Sequence, residues 1–115
     1  MRDATEIARM LVGIASDLQA ADIRMLDISG VTTFADYFII LSADSDRQIR
    51  AVRDDMVRGL KQVSIRVRHS EGTPGSGWVL LDFGDVIVHI FEPLRRRHYQ
   101  LEELWAKAIE VVRIQ

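Results

Sequence analysis

A β-hairpin is encoded by residues 78–91, which read Trp78-Val79-Leu80-Leu81-Asp82-Phe83-Gly84-Asp85-Val86-Ile87-Val88-His89-Ile90-Phe91. Two apolar runs flank Gly84-Asp85, and a two-residue loop that begins with glycine suits a type II′ turn, because its first central position needs a positive φ. The resulting register gives one wholly apolar face, with Phe83 opposite Val86, Leu81 opposite Val88 and Val79 opposite Ile90. The six residues of the opposite side, here called the hairpin face, are Trp78, Leu80, Asp82, Ile87, His89 and Phe91.

Hydrophobic spacing predicts the elements around this hairpin. Helices are predicted over residues 4–21, from the Ser45-Asp46-Arg47-Gln48 capping box to Leu60, and over residues 101–113. Further strands are predicted over residues 23–28, 37–41 and 63–68, and the Gly/Pro-rich residues 71–77 are expected to form a flexible connector. This order predicts an α/β (α+β) fold, in which a mixed sheet of about five strands packs against three helices.

Composition restricts the class of protein. A chain of 115 residues, 48% of them hydrophobic, is long enough to bury one core, so residues 1–115 are expected to form a single domain. The absence of cysteine excludes disulfides, thiolate zinc sites and thiol catalysis. A net charge of −2 argues against a basic nucleic-acid coat. The N-terminal residues carry charges of both signs and the apolar runs are short, so a cytosolic location with no membrane contact is expected.

Few residues are arranged for catalysis. Asp44 and Asp46 have the Asp-x-Asp spacing of two-metal nucleotidyl transfer, but they straddle a predicted helix start, where acids ordinarily complement the helix dipole. The three histidines do not have metal-ligand spacing, and the glycine-rich residues 71–77 lack the lysine and the following helix of a phosphate loop. A divergent magnesium-dependent nucleotidyltransferase that uses Asp44 and Asp46 remains the enzymatic alternative, and it predicts nucleotide binding. No cofactor is expected otherwise.

Two surface features are candidates for binding a partner. The basic run Arg95-Arg96-Arg97 is expected to be a solvated turn, with contact to phosphate or an acidic partner as the alternative. The hairpin face is more apolar than a face that meets only water, so either a helix of the same chain covers it or a partner does. Trp78 with acidic neighbours has the composition of an interaction hot spot. The face could also serve only self-association, which would make the chain a dimerising module.

The sequence resembles the ribosomal silencing factor family (RsfS, also called Iojap-like) over about residues 26–108. The matching segments are Thr33-Phe34-Ala35-Asp36-Tyr37-Phe38, Ser45-x-Arg47-Gln48, Glu71-Gly72, Gly77-Trp78, Leu80 to Phe91, Arg96, and Tyr99-x-Leu101-Glu102-x-Leu104-Trp105. The family commonly has Cys-Ser-Gly where this chain has Leu41-Ser42-Ala43. It also has an acid at the position of Arg95 and an aromatic residue at that of His98.

The resemblance implies a nucleotidyltransferase-like fold without its catalytic residues. It also implies binding to ribosomal protein fourteen of the large subunit, which blocks joining with the small subunit and represses translation when nutrients are short. Family members are usually homodimers when free, and neither a small-molecule substrate nor sequence-specific nucleic-acid recognition is implied. By analogy, the partner-binding residues are expected to be Trp78, Leu80, Asp82, Glu71, Tyr37 and Tyr99.

Overall fold

The computed structural model describes residues 3–99 and 108–115 of the chain. Within these residues, helices α1 to α3 span Ala4–Asp17, Asp46–Gln62 and Pro93–Tyr99. Strands β1 to β6 of the same described part span Ala21–Asp27, Tyr37–Ser42, His69–Thr73, Trp78–Asp82, Val86–Phe91 and Ile109–Ile114. A short 3₁₀ turn, Pro74–Ser76, joins β3 to β4. The predicted mixed α+β class is confirmed.

The strands form one mixed sheet in the order β3-β4-β5-β2-β1-β6. The predicted hairpin register is confirmed, since β4 pairs antiparallel with β5 and Leu81 lies opposite Val88. Gly84 has a φ of +96°, as the tight turn requires, and the Phe83 amide donates to the Val86 carbonyl at 2.9 Å. The other neighbour of β5 is β2, which runs parallel to it.

The two faces of the sheet have separate cores. Helices α1 and α2 pack against one face, where their apolar stripes meet inward side chains of β2, β4 and β5. Ile39, Leu81 and Val88 are among the fully buried residues of this larger core. A smaller core on the opposite face joins Leu26, Phe38, Ile40 and Phe91 to the loop that precedes β2. The hairpin face belongs to this second side of the sheet.

The first helix ends four residues earlier than predicted. It terminates at Asp17, because Gln19 adopts a φ of +61° and two backbone bonds close the helix end. Ala20 donates to the Ala15 carbonyl and Gln19 to the Ser16 carbonyl, both at 3.0 Å, which is the Schellman pattern without a glycine. The helical spacing continues as far as Leu18, so the pattern alone does not mark this end.

The predicted edge strand over residues 63–68 was wrong, and so was the flexible connector over residues 71–77. Ser64 has a φ of +66°, and Ile65 donates to the Leu60 carbonyl, so residues 63–65 close the end of α2 instead of pairing in the sheet. Val63, Ile65 and Val67 nevertheless pack against the core, which explains their alternation. The edge strand is the following segment, β3, whose five residues are all exposed.

The helix predicted over residues 101–113 was wrong from residue 109 onward. Residues 109–114 form β6, which pairs antiparallel with β1 and adds a sixth strand to the predicted five or so. Four of its six residues are β-branched, namely Ile109, Val111, Val112 and Ile114, and such side chains favour strands over helices. Residues 101–107 of the predicted helix lie outside the described residues.

Replacement of Gly72 by alanine should destabilise the protein. Gly72 has a φ of +78°, and a Cβ at this position would lie 2.1 Å from the Trp78 carbonyl oxygen across the β3–β4 ladder. The unfavourable φ alone costs about 1–3 kcal/mol, so the free energy of unfolding in urea should fall by about 2 kcal/mol or more. Gly30→Ala is the matched control, because a Cβ at Gly30 meets nothing within 4 Å. Equal stability of the two variants would contradict this role of Gly72.

Candidate partner-binding surface

Strand β4 carries three of the predicted binding residues on one side. Trp78, Leu80 and Asp82 alternate with buried Val79 and Leu81, and all three are half-buried. Glu71 of β3 lies directly opposite Leu80 and is exposed. The structure therefore brings together four of the six predicted residues, here called the β4 surface: Trp78, Leu80, Asp82 and Glu71.

Aromatic rings hold Trp78 in place on the sheet. Its indole lies nearly parallel to the rings of His89 and Phe91, at angles of 16° and 23° and with centroids 6.3 and 6.4 Å away. Trp78 Nε1 donates to His89 Nδ1 at 3.3 Å, so this nitrogen of the imidazole carries no proton. Phe38 of β2 meets the same imidazole edge-on at 5.2 Å. Trp78 is thus a fixed side chain, which lowers the entropy that it loses when a partner binds.

Burial divides the hairpin face into two halves. On β5, His89 and Phe91 are 7% and 1% exposed, so they serve the second core. On β4, the half-buried side chains keep accessible area, and α1 and α2 lie on the other side of the sheet. Neither of these two helices covers the hairpin face. What remains partly accessible is the β4 surface together with Ile87 of β5, which is also half-buried.

The acidic residues of this surface differ in their local roles. Asp82 Oδ1 accepts the Gly84 amide at 2.7 Å, so this carboxylate also fixes the hairpin turn. Glu71 Oε1 lies 2.9 Å from His69 Nε2, and both side chains are more than half exposed. Glu71 can exchange this contact for a partner's cation at little cost, because exposed ion pairs contribute only about 0–1 kcal/mol.

Of the two predicted tyrosines, Tyr37 does not join the β4 surface. Tyr37 belongs to the helix side of β2, where its hydroxyl lies 2.8 Å from Thr5 Oγ1 of α1. It is therefore on the opposite face of the sheet from Trp78. Tyr99 is the last residue of α3, and its side chain lies outside the described residues.

Arg96 is a buried residue, so the solvated turn expected for Arg95-Arg96-Arg97 was wrong. The run forms part of α3, and only Arg95 and Arg97 are exposed. Arg96 is 6% exposed and donates to the Asp22 carbonyl at 2.6 Å and to Ser42 Oγ at 2.9 Å. It therefore ties α3 to β1 and β2. Apolar periodicity gives no signal for a buried arginine, and only the family match at this position had marked it.

The Asp44–Asp46 pair lies at the start of α2, as the capping box predicts. Ser45 Oγ accepts the Gln48 amide at 3.1 Å, and Gln48 Oε1 accepts the Asp44 amide at 2.7 Å. Both carboxylates are exposed, and neither lies on a strand. Within residues 3–99 and 108–115, no three His, Cys, Asp or Glu side chains are grouped to hold a metal. None of the described helices is long and apolar enough to cross a membrane.

Comparison with known proteins assigns the chain to a family. The family model described as "Ribosomal silencing factor during starvation" matches residues 1–115. The chain belongs to the ribosomal silencing factor family. The earlier resemblance is thereby confirmed, and the family is named for an action on the ribosome rather than for a reaction.

Relatives of this ribosomal silencing factor family are similar over most of the chain. The "Ribosomal silencing factor RsfS" of Bacillus subtilis is 37% identical over 102 residues, which are 89% of this chain and 86% of that protein. The mouse "Mitochondrial assembly of ribosomal large subunit protein 1" is 31% identical over 99 residues, 84% of this chain and 43% of that protein. A crystal structure from Chromobacterium violaceum has a TM-score of 0.87 and 33% identity, and it covers 91% of this chain and 88% of that one.

Replacement of Arg96 by glutamine should lower the free energy of unfolding by about 2 kcal/mol, because buried hydrogen bonds from a charged donor to Asp22 and Ser42 are lost. Arg97→Gln removes the same charge from the neighbouring exposed position and should stay within about 0.5 kcal/mol of the original protein. Thermal and urea unfolding of the two variants measure the difference. Similar stabilities would mean that Arg96 does not anchor α3.

Proposed function

We propose that this protein binds the large ribosomal subunit through its ribosomal protein fourteen and prevents the small subunit from joining, which represses translation under nutrient limitation. Family membership is the observation that carries the proposal. The mouse relative, named for assembly of the ribosomal large subunit, supports the choice of subunit. The accessible β4 surface, with Trp78 at one end and Leu80 in the middle, supplies a surface suited to such binding.

Steric exclusion requires a rigid surface of suitable chemistry and no reaction. Trp78 supplies a large apolar anchor whose orientation is already fixed by His89 and Phe91. Glu71, opposite Leu80, and Asp82, at the other end of β4, place negative charge on the same side of the sheet, which suits the basic surface that ribosomal proteins usually present. We therefore assign Trp78, Leu80, Asp82 and Glu71 to the ribosome contact.

For the free chain we propose a homodimer, as the family resemblance implies. The far edge of the sheet supports a self-association surface separate from Trp78. Ile109 of β6 is 68% exposed there, with Val111 and Ile114 also exposed, and edge strands present backbone groups that can pair with another strand. Strand β6 lies four positions from β4 in the sheet order. A dimer built on the β6 edge therefore leaves the β4 surface accessible.

Sedimentation with separated ribosomal subunits tests the proposed function. The purified protein should pellet with the large subunit and not with the small one, and it should reduce the amount of joined particles when both subunits are mixed at low magnesium. Both effects follow from occupation of the surface that the small subunit meets. Absence of association with either subunit would overturn the proposal and direct attention to nucleotide binding by Asp44 and Asp46.

Truncation of Trp78 tests the assignment of the surface. Trp78→Ala should weaken binding to the large subunit by about 2 kcal/mol or more, roughly 30-fold in Kd, because the complex loses an aromatic anchor that binding would bury. Val31→Ala is the control, since Val31 is also apolar and exposed (41%) but lies beside Ile109 near the other edge of the sheet. Circular dichroism checks that both variants fold.

Glu71→Lys provides a second variant for the same surface, because Glu71 is exposed and its loss disturbs no packing. Reversal of this charge should weaken binding, and the loss of affinity relative to the original protein should grow as salt is lowered. Unchanged affinity in both folded variants would contradict the assignment of the β4 surface.

A further inference from the structure

A groove with basic walls lies on the helix side of the same sheet edge. It has a volume of about 470 Å³, and its apolar floor is formed by Val57 of α2, Val67 and Leu81. A smaller cavity of about 220 Å³ continues it, sharing Val57 and Val67 and adding Arg66. The cationic side chains of the combined space, here called the α2 groove, are Arg53, Arg58, Lys61 and Arg66.

The charge of the α2 groove is positive although the whole chain is acidic. Among the described residues that line it, Asp54 is the one acidic side chain, and the net charge of the chain is −2. Arg53 pairs with Asp54 and Arg58 with Asp55, in each case between close neighbours on the surface of α2. Among the described residues, Lys61 and Arg66 form no ion pair with a carboxylate. The positive charges of Lys61 and Arg66 are therefore not neutralised by a carboxylate of the described part of the protein.

The shape of the groove strengthens this charge. Clefts lined by one sign of charge with apolar walls focus the electric field and concentrate counter-ions. The ion pair of Arg58 is exposed and that of Arg53 is partly exposed, so an incoming anion can replace their carboxylates with little loss of stability. Arginine guanidinium groups also match the geometry of phosphate oxygens.

We propose that the α2 groove binds the phosphate backbone of RNA without reading its sequence. This inference rests on the proposed function, because the large ribosomal subunit exposes RNA phosphates beside its basic proteins. Ser70 and Leu81 of the groove point to the helix side of the β3–β4 ladder, whereas Glu71 and Leu80 point to the β4 surface. One sheet edge thus has an acidic side for a basic protein and a basic side for RNA.

Contacts from the two faces should contribute differently to the salt dependence of the affinity. Contacts from Trp78 should depend weakly on salt, whereas contacts from the α2 groove should release counter-ions from RNA and depend on it strongly. Each phosphate contact contributes close to one unit to the slope of log K against log salt concentration. The number of contacts can therefore be counted by titration.

The test compares binding to purified large subunits between about 50 and 200 mM KCl. Lys61→Gln/Arg66→Gln removes two groove cations that lack ion pairs, so folding should be unaffected. Arg9→Gln/Arg97→Gln is the matched control, because it removes the same charge from exposed positions on α1 and α3. The groove variant should lose about two units of salt slope, and the control should keep the original slope.

A short oligouridine and poly-L-glutamate identify the source of the negative charge. Oligouridine should bind the original protein and the control variant, and it should bind the groove variant at least several-fold more weakly. Poly-L-glutamate binding that equals oligouridine binding would overturn the proposal and indicate an acidic protein segment. An unchanged salt slope on subunits that are still bound would also overturn it. Loss of subunit binding in the original protein would instead refute the proposed function.

Discussion

The turn at Gly84-Asp85 is the constraint on which the rest of the structure depends. It fixes the register of β4 with β5, because Gly84 takes a positive φ and its amide is held by Asp82. The Asp85 carbonyl then accepts the amides of Asp36 and Tyr37, at 2.8 and 3.1 Å, which places the start of β2 beside β5. A slip of one residue would exchange the two faces of every strand so aligned.

This alignment separates the two kinds of surface. Apolar side chains on one face build the core with α1 and α2, and Trp78 and its aromatic neighbours are directed to the other face. Arg96 closes the far end of that second side by joining α3 to the backbone of β1 and to Ser42. At the edge formed by β3 and β4, one face of the sheet consequently carries the acidic and apolar β4 surface, and the opposite face carries the basic α2 groove.

Local sequence signals predicted the parts of the fold that depend on neighbours along the chain. The hairpin, the capping box at Ser45 and the buried strand over residues 37–41 each contain their own turn, cap or apolar run, and all three are confirmed. The wrong predictions concern segments whose structure is determined by distant contacts or by a reversal of the chain. Gln19 and Ser64 end helices in left-handed conformations without the usual glycine, and β6 is a strand because β1 offers it an edge.

The candidate binding residues were likewise predicted only where they follow from local strand alternation. Alternation along β4 places Trp78, Leu80 and Asp82 on one face, so this part followed from the hairpin register. Tyr37 was grouped with them through the family resemblance alone, and strand alternation sends it to the opposite face, against Thr5. The α2 groove had no sequence signal, because Arg58 and Arg66 are brought together with Leu81 only by the closure of α2 on the sheet.

In the proposed complex, the β4 surface faces the large subunit. Hydroxyl-radical footprinting with mass spectrometry tests it directly, because it reports the accessibility of individual side chains in the bound protein. The oxidation rates of Trp78 and Leu80 should fall on binding, while that of Met10, a half-buried residue of α1 on the other side of the sheet, should not change. Protection of Met10 with unchanged rates at Trp78 and Leu80 would contradict the account.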